Sequence, residues 1–346
     1  MKKGLLIIIV LLLVCSFINA ESSVSLNYKL SYSDNAFNLS DDNLDVFDAN
    51  QAYSYIETSD DMIQTLNIRA SHTLRSQNYR FSPALSLTQM IYSSNSDKSN
   101  FNLLTGFNAR LYRGFIDFRY GWYPQNYTQK YKDSDGTMAY EKFEYEKNLY
   151  KMTLKYPVIK KLDIEVYGKY ENYYHNEYFT EYDGTALTSG IGLYSRHLPG
   201  TLSLYYYFRQ YDNKSDNQMA QVIIDTQKDC SYESDIFDLK YQLPRLYTKT
   251  DFVDYTPYVG IRIENVVYLS EFSILSDPIH ASRKDNKIKV NAGTDIHVLK
   301  NLNFKLDVIK EIRKVNSEYE NLEYSKNYDK LQVSAGISWL FDFNND

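Results

Sequence analysis

Little in this chain could staple a fold from within. Of 346 residues only Cys15 and Cys230 are cysteines, and Cys15 lies in an apolar N-terminal run. Once that run is removed Cys230 stands alone, which excludes an internal disulfide. No apolar run after residue 20 approaches the length of about 20 residues that a membrane-crossing helix needs. There is no CxxC pair and no phosphate-binding glycine loop. Positive charge is scarce as well. The formal charge is −6, and −8 without Lys2 and Lys3, which excludes the basic surface of a general nucleic-acid binder. Prolines number only 7 and glycines 13, beside 35 tyrosines and an aromatic content of 16%. Low-complexity disorder is poor in aromatics, so it does not fit. A compact α/β enzyme would carry longer apolar runs from buried parallel strands.

The first twenty residues read as a secretory leader. Lys2 and Lys3 open it, Leu5 to Val14 is unbroken and apolar, and SFINA (Ser16 to Ala20) offers a cleavage site after Ala20. Val14 precedes Cys15 where a lipid-acceptor signal has a small residue, which argues against lipidation. The expected domain organisation is therefore a leader over 1–20 and one domain over 21–346.

What the mature chain has in quantity is alternation of period two. Val24, Leu26, Tyr28, Leu30 and Tyr32 alternate with Ser25, Asn27, Lys29 and Ser31. The same pattern recurs around Ile68, Leu85, Phe107, Phe118, Met152, Val166, Ile191, Leu204, Leu239, Ile261, Val290 and Leu306. It closes with Leu331, Val333, Ala335, Ile337, Trp339, Phe341 and Phe343. These segments predict about 14 strands, each near the 9–11 residues that a tilted strand needs to cross a bilayer.

The connections between them are of two kinds. Tight ones lie at 75–78, 112–114, 156–162, 197–202, 242–247 and 298–302. The alternate connections are longer and polar, including those from Asp34, from Tyr92, around Asp133, around Asp183, from Asp212 to Asp235 and from Leu269 to Asn286. Several are acidic, with Asp41, Asp42, Asp45, Asp48, Asp60 and Asp61 as solvated charge in the first. Short turns on one side and long loops on the other are the signature of an outer-membrane β-barrel. The expected fold is all-β: a transmembrane antiparallel up-and-down β-barrel of about 14 strands, with 12 or 16 as alternatives. Alternation alone also fits a soluble sandwich. An even strand number puts both termini on the short-turn side, the periplasmic one.

Taken together, the leader, the alternation, the loop asymmetry and the last strand resemble bacterial outer-membrane β-barrels of the porin type over the whole mature chain. YSDNAF (Tyr32 to Phe37) with SDD (Ser40 to Asp42) is similar to the openings of porin families associated with polysaccharide export. The resemblance implies that Trp339, Phe341 and Phe343 form an aromatic girdle and insertion signal, although Asn344 to Asp346 follow where that signal usually ends. It implies outer-membrane lipids, lipopolysaccharide and the barrel-assembly machinery as partners. No motif calls for a cofactor, and no long apolar-rich loop suggests a trimer contact, so a monomer rather than a trimer is expected.

If the apolar phase faces lipid, the other phase lines the lumen. It carries Arg69, Arg80, Arg110, Asp117, Arg119, Asp163, Glu165, Lys169, Arg209, Lys240, Arg262, Glu264, Lys287, Lys289, Lys305 and Asp307. Both signs occur with a basic excess, as in a water-filled channel whose wall charge sets ion preference. The same charges could instead cross-link strands in a filled barrel. Eight strands fill with side chains and about 16 hold channels, so 14 leans toward a pore.

Catalytic and metal motifs are weak. Ser71 and His72 point to opposite faces of a strand. His175 with Glu177 and Glu181 reads as solvated loop residues, and DSDG at Asp133 as a loop tip, since Tyr131 stands where a calcium loop needs an acid. The expectation is a non-enzyme without a metal site: a porin-like channel for ions and small hydrophilic solutes. The alternative is a structural or surface-interaction barrel whose long acidic loops bind a partner or glycan.

Overall fold

Each alternating segment becomes a strand because its apolar residues recur every second position and small polar residues fill the gaps. The computed structural model describes residues 21–133, 136–213, 229–247, 253–319 and 322–343. The leader expected over 1–20 lies outside the described residues, as do 214–228 of the Asp212–Asp235 connection. The strands are β1 (Glu21–Ser33), β2 (Asp61–Arg75), β3 (Tyr79–Tyr92), β4 (Asn100–Leu111), β5 (Gly114–Lys132), β6 (Tyr140–Ile159), β7 (Leu162–His175), β8 (Gly184–Ser195), β9 (Thr201–Asn213), β10 (Tyr232–Gln242), β11 (Leu246–Tyr247), β12 (Asp254–Tyr268), β13 (Lys284–Leu299), β14 (Leu302–Asn316) and β15 (Tyr328–Phe343). Each long strand pairs antiparallel with its chain neighbour. β1 pairs with β15 and β10 with β12, so fourteen strands form one closed ring with the two-residue β11 outside it. Closure leaves no open edge, the condition for a sheet to stand in lipid.

Five of the six expected tight connections fall at one end of the barrel and the long ones at the other; the sixth, expected at 242–247, instead spans 243–253 and holds β11, with 248–252 outside the described residues. At the β8–β9 turn Gly200 has φ +100°, and a Cβ there would lie 2.2 Å from the Gln242 carbonyl oxygen. Only glycine meets both demands.

Three expectations need correction. The strands run from 11 to 20 residues rather than 9–11. β5 and β6 are the longest, and their hairpin projects past the loop end because a ladder continues wherever both edges keep pairing. The first long connection is also more than solvated acid. Ser40 caps a helix over Asp41–Asp48, accepting from the Asn43 amide at 3.2 Å, with Asp41 and Asp42 in its first turn. Asp61 is buried, and its carboxylate accepts from the amides of Ser93, Ser94 and Asn95 at 2.9–3.1 Å.

That connection carries a small apolar core of its own. Ala36, Phe37, Leu39 and Ile56 bury against Tyr127 of β5, with Phe47, Tyr53 and Tyr55 around them. Tyr55 donates to the Lys130 carbonyl oxygen at 3.1 Å, which ties residues 34–60 to β5, four strands along the ring. Asn43 donates to the Ser325 carbonyl oxygen at 3.1 Å, in a short helix over Leu322–Lys326. Lys326 Nζ stands 5.9 Å from the Tyr131 ring of β5. β5 and β14 are six places apart in the ring of fourteen. A ring of this size has a backbone radius of about 14 Å from strand spacing and tilt. Side chains from nearly opposite walls therefore meet over the lumen, and the long connections form a cap across the mouth.

Candidate functional site

The ladder registers decide which side chains share a face, because directly opposed residues point the same way. On β1 the outer phase is Val24, Leu26, Tyr28, Leu30 and Tyr32, and the inner phase is Ser23, Ser25, Asn27, Lys29 and Ser31. Ser25 opposes Arg69, and the phase can be carried strand by strand around the ring. Every charged residue expected on the lumen side falls in the inner phase. Trp339 and Phe341 fall in the outer one, with rings stacked at 5.1 Å near the turn end, and Phe343 follows them.

One rung can be followed from β2 to β15 through successive opposed pairs. It reads Arg75, Arg80, Arg110, Phe115, Lys155, Glu165, Gly192, Tyr205, Asp238, Arg262, Lys289, Glu311 and Lys330. It starts beside a tight turn and ends beneath the cap, so it climbs the barrel as the strand stagger requires. A second rung carries Arg119, Lys151, Lys169, Thr188 and Arg209 on β5 to β9.

Pairing along these rungs is uneven. Glu171, only 2% exposed, gathers Lys169 at 2.8 Å, Arg209 at 3.3 Å and Lys147 at 3.6 Å. Asp285 is held by Arg283 at 2.8 Å and Arg313 at 2.5 Å. Arg119 pairs with Asp117 at 2.8 Å, Lys155 with Asp163 at 3.4 Å and Lys289 with Glu311 at 3.7 Å. These charges brace the wall. Arg75, Arg80 and Arg110 differ: three exposed arginines stand opposed on adjacent strands, and their described ion pair is Arg75 with Glu21 at 2.5 Å. Opposed like charges destabilise a ladder. They are tolerated at the turn end because they face water there.

The alternation did not reveal how much tyrosine is inside. Tyr123, Tyr167, Tyr194, Tyr205, Tyr207, Tyr232 and Tyr258 all lie in the inner phase. Their rings seat lysines: Lys155 at 3.7 Å from Tyr194, Lys147 at 4.4 Å from Tyr123 and Lys240 at 4.5 Å from Tyr258. The available signal was glycine spacing. Gly190 and Gly192 on β8 face Tyr207 and Tyr205 on β9, and a Cβ on either would lie 2.2–2.3 Å from a ring carbon. The rings therefore lie flat over glycine, stacked at 5.7 Å, and the wall stays thin. Gly192→Val is expected to lift Tyr205 into the lumen. It should cost about 1–3 kcal/mol in urea unfolding, as overpacking does. Permeation should fall, and removing the ring as well, in Gly192→Val with Tyr205→Ala, should restore it.

Toward the turn end, β1 and β13 to β15 form an open notch of about 320 Å³ lined by Asn27, Lys29, Asp295, His297, Lys305, Asp307, Ser334 and Gly336, among others. His297 is held between Thr256 Oγ1 at 3.1 Å and Asn303 Oδ1 at 2.7 Å. Tyr258 donates to Asp307.

The other described histidines lie elsewhere, and His280 pairs with Asp277 at 2.9 Å in the β12–β13 connection. His175 is not a solvated loop residue. It ends β7 in the inner phase, its ring beside Phe143, Tyr145 and Tyr182 and its Nδ1 3.4 Å from Asp183. His72 meets Ser22 at 3.0 Å on the outer face. Asp133 closes a loop tip by accepting from Gly136 and Thr137. Burial pushes the Cys230 thiol up to about 12, which keeps it protonated and unreactive at neutral pH. Among the described residues no three His, Cys, Asp or Glu side chains converge as a metal site would.

No protein-family model and no curated protein matches the chain. Solved structures similar to it include Acinetobacter baumannii OccAB3, with a TM-score of 0.44 and 7% identity over 93% of this chain and 99% of that one. OmpT, an outer membrane protein of Vibrio cholerae in trimer form, gives 0.45 and 7% over 93% and 99%. The anion-selective porin from Comamonas acidovorans gives 0.42 and 8% over 92% and 98%.

Proposed function

We propose that the chain is an outer-membrane channel for passive diffusion of ions and small hydrophilic solutes, with both termini periplasmic and the cap narrowing its outer mouth. One observation carries this reading: in a closed ring the outer phase is apolar, while the inner phase holds charge and tyrosine hydroxyls. Lipid on the outside and water on the inside account for both phases at once. The inner charges in the sequence-derived set, Arg69 to Asp307, are read as the channel wall. The working unit is read as a monomer.

Liposome swelling tests the reading. Vesicles bearing the refolded protein are expected to swell in arabinose and progressively more slowly in larger sugars. Vesicles with folded protein that swell in none would favour the other reading, a plugged barrel whose loops are the working surface. The contacts across the mouth are what favours that second reading.

Trp339, Phe341 and Phe343 are read as girdle and insertion signal. Phe341→Ala with Phe343→Ala is expected to lower the barrel recovered in the outer-membrane fraction several-fold, while refolding from urea into detergent proceeds unchanged. Equal recovery of the two proteins would remove the signal role.

A further inference from the structure

The notch near the turn end is built differently from the rest of the wall. Lys305 of β14 and Asp295 of β13 are directly opposed. Opposite charges at such positions attract, and on this wall Glu264 with Lys287, Asp238 with Arg262 and Lys289 with Glu311 approach within 3.7–3.9 Å. Lys305 and Asp295 make no such pair. Lys305 Nζ stands 5.0 Å from the Tyr258 ring instead, and Tyr258 occupies the neighbouring acid, Asp307, with its hydroxyl. Lys29 is the next charge along the rung, separated from Lys305 by Gly336. Across one intervening strand the two lysine backbones are about 10 Å apart. Gly336 has no side chain to fill the notch between them. Among the described residues neither Lys29 nor Asp295 has an ion pair. Two ammonium groups and the carboxylates of Asp295 and Asp307 therefore line a space of about 320 Å³, with Asp307 already taken by the Tyr258 hydroxyl.

We propose that this notch is a binding subsite for a small zwitterion of the α-amino-acid type. The solute carboxylate lies over Gly336 between Lys29 and Lys305, and its ammonium group meets Asp295. A simple anion would leave Asp295 unpaired, and a simple cation would leave both lysines so. A solute carrying both charges a few ångströms apart satisfies all three groups. The proposal rests on the channel reading for the route by which the solute arrives.

The test uses the full mature barrel in a planar bilayer at 0.1 M KCl, where the screening length of about 10 Å leaves the wall charges effective. Glutamine is the probe, with acetate and ethylammonium carrying its charges singly. Glutamine is expected to reduce the KCl current in a saturable way. Asp295→Asn and Lys305→Met should each raise the half-blocking concentration tenfold or more. Acetate blocking as well as glutamine, or both variants blocking like the parent, would overturn the proposal. Should the barrel not conduct at all, the channel reading fails by itself. Calorimetric titration of the detergent-solubilised barrel with glutamine then decides the subsite: saturable heat lost in Asp295→Asn supports it, and no heat in the parent overturns it.

Discussion

Replacing residues 36–58 with a short glycine–serine turn is expected to raise single-channel conductance several-fold. The segment removed holds the small apolar core, the Asp41–Asp48 helix and Tyr55, which ties the cap to β5. None of it belongs to the barrel ladder, so ring closure through β1–β15 and β10–β12 survives its loss. The same region predicts a pH response. Burial lowers Lys98 and Lys326 to about 8, with Arg283 and Arg313 adding to the effect at Lys326. A lysine whose folded pKa is depressed costs stability while it is charged. That cost is complete below about 8 and is relieved as pH rises from there toward the ordinary lysine value of about 10.4. The cap should hold more firmly at pH 9.5 than at pH 7. Conductance of the intact protein is expected to fall over that range, and conductance of the shortened protein is not. Equal conductance with and without residues 36–58 would mean that the narrowing lies elsewhere.

The second large effect concerns ion preference. Arg75→Glu, Arg80→Glu and Arg110→Glu together are expected to change the sign of the reversal potential under a KCl gradient. Asp117 and Glu311 each offset one cation, while Glu171 with three cations and Asp285 with two leave positive charge near the loop end, away from the turn end. The three arginines are exposed, opposed and nearly uncompensated, so they dominate the potential at the turn end. At 0.1 M salt the screening length is about 10 Å, comparable to the lumen radius left inside the wall; at 1 M it is about 3 Å. The parent should therefore prefer chloride at low salt and lose most of that preference at 1 M. An unchanged sign in the triple variant would place the selecting charge on another rung.

How much was legible beforehand differs by feature, for physical reasons. The strand number and the positions of five of the six tight turns could be read because lipid imposes a two-residue period and turns demand particular residues. That the expected lumen charges share one face of the ladder was legible for the same reason. Pairing within that phase was not, since Lys147 of β6 and Arg209 of β9 meet Glu171 of β7 only through the register of those strands. Tyrosine misled because it suits both faces: Tyr206 is exposed outside while Tyr205 and Tyr207 beside it lie over glycines inside. His175 and Asp61 looked solvated because local sequence does not tell which loop residues a cap will bury. The cap itself, and the projecting β5–β6 hairpin that it leans on, depend on contacts between segments far apart in the chain.

Single-channel recording of the refolded mature protein in a planar bilayer tests the central claim most directly. The water-filled inner wall predicts discrete, reproducible conductance steps whose reversal potential under a salt gradient has the sign of anion preference. A protein that has folded into its barrel, by circular dichroism and by heat-modifiable migration, yet never conducts would contradict it.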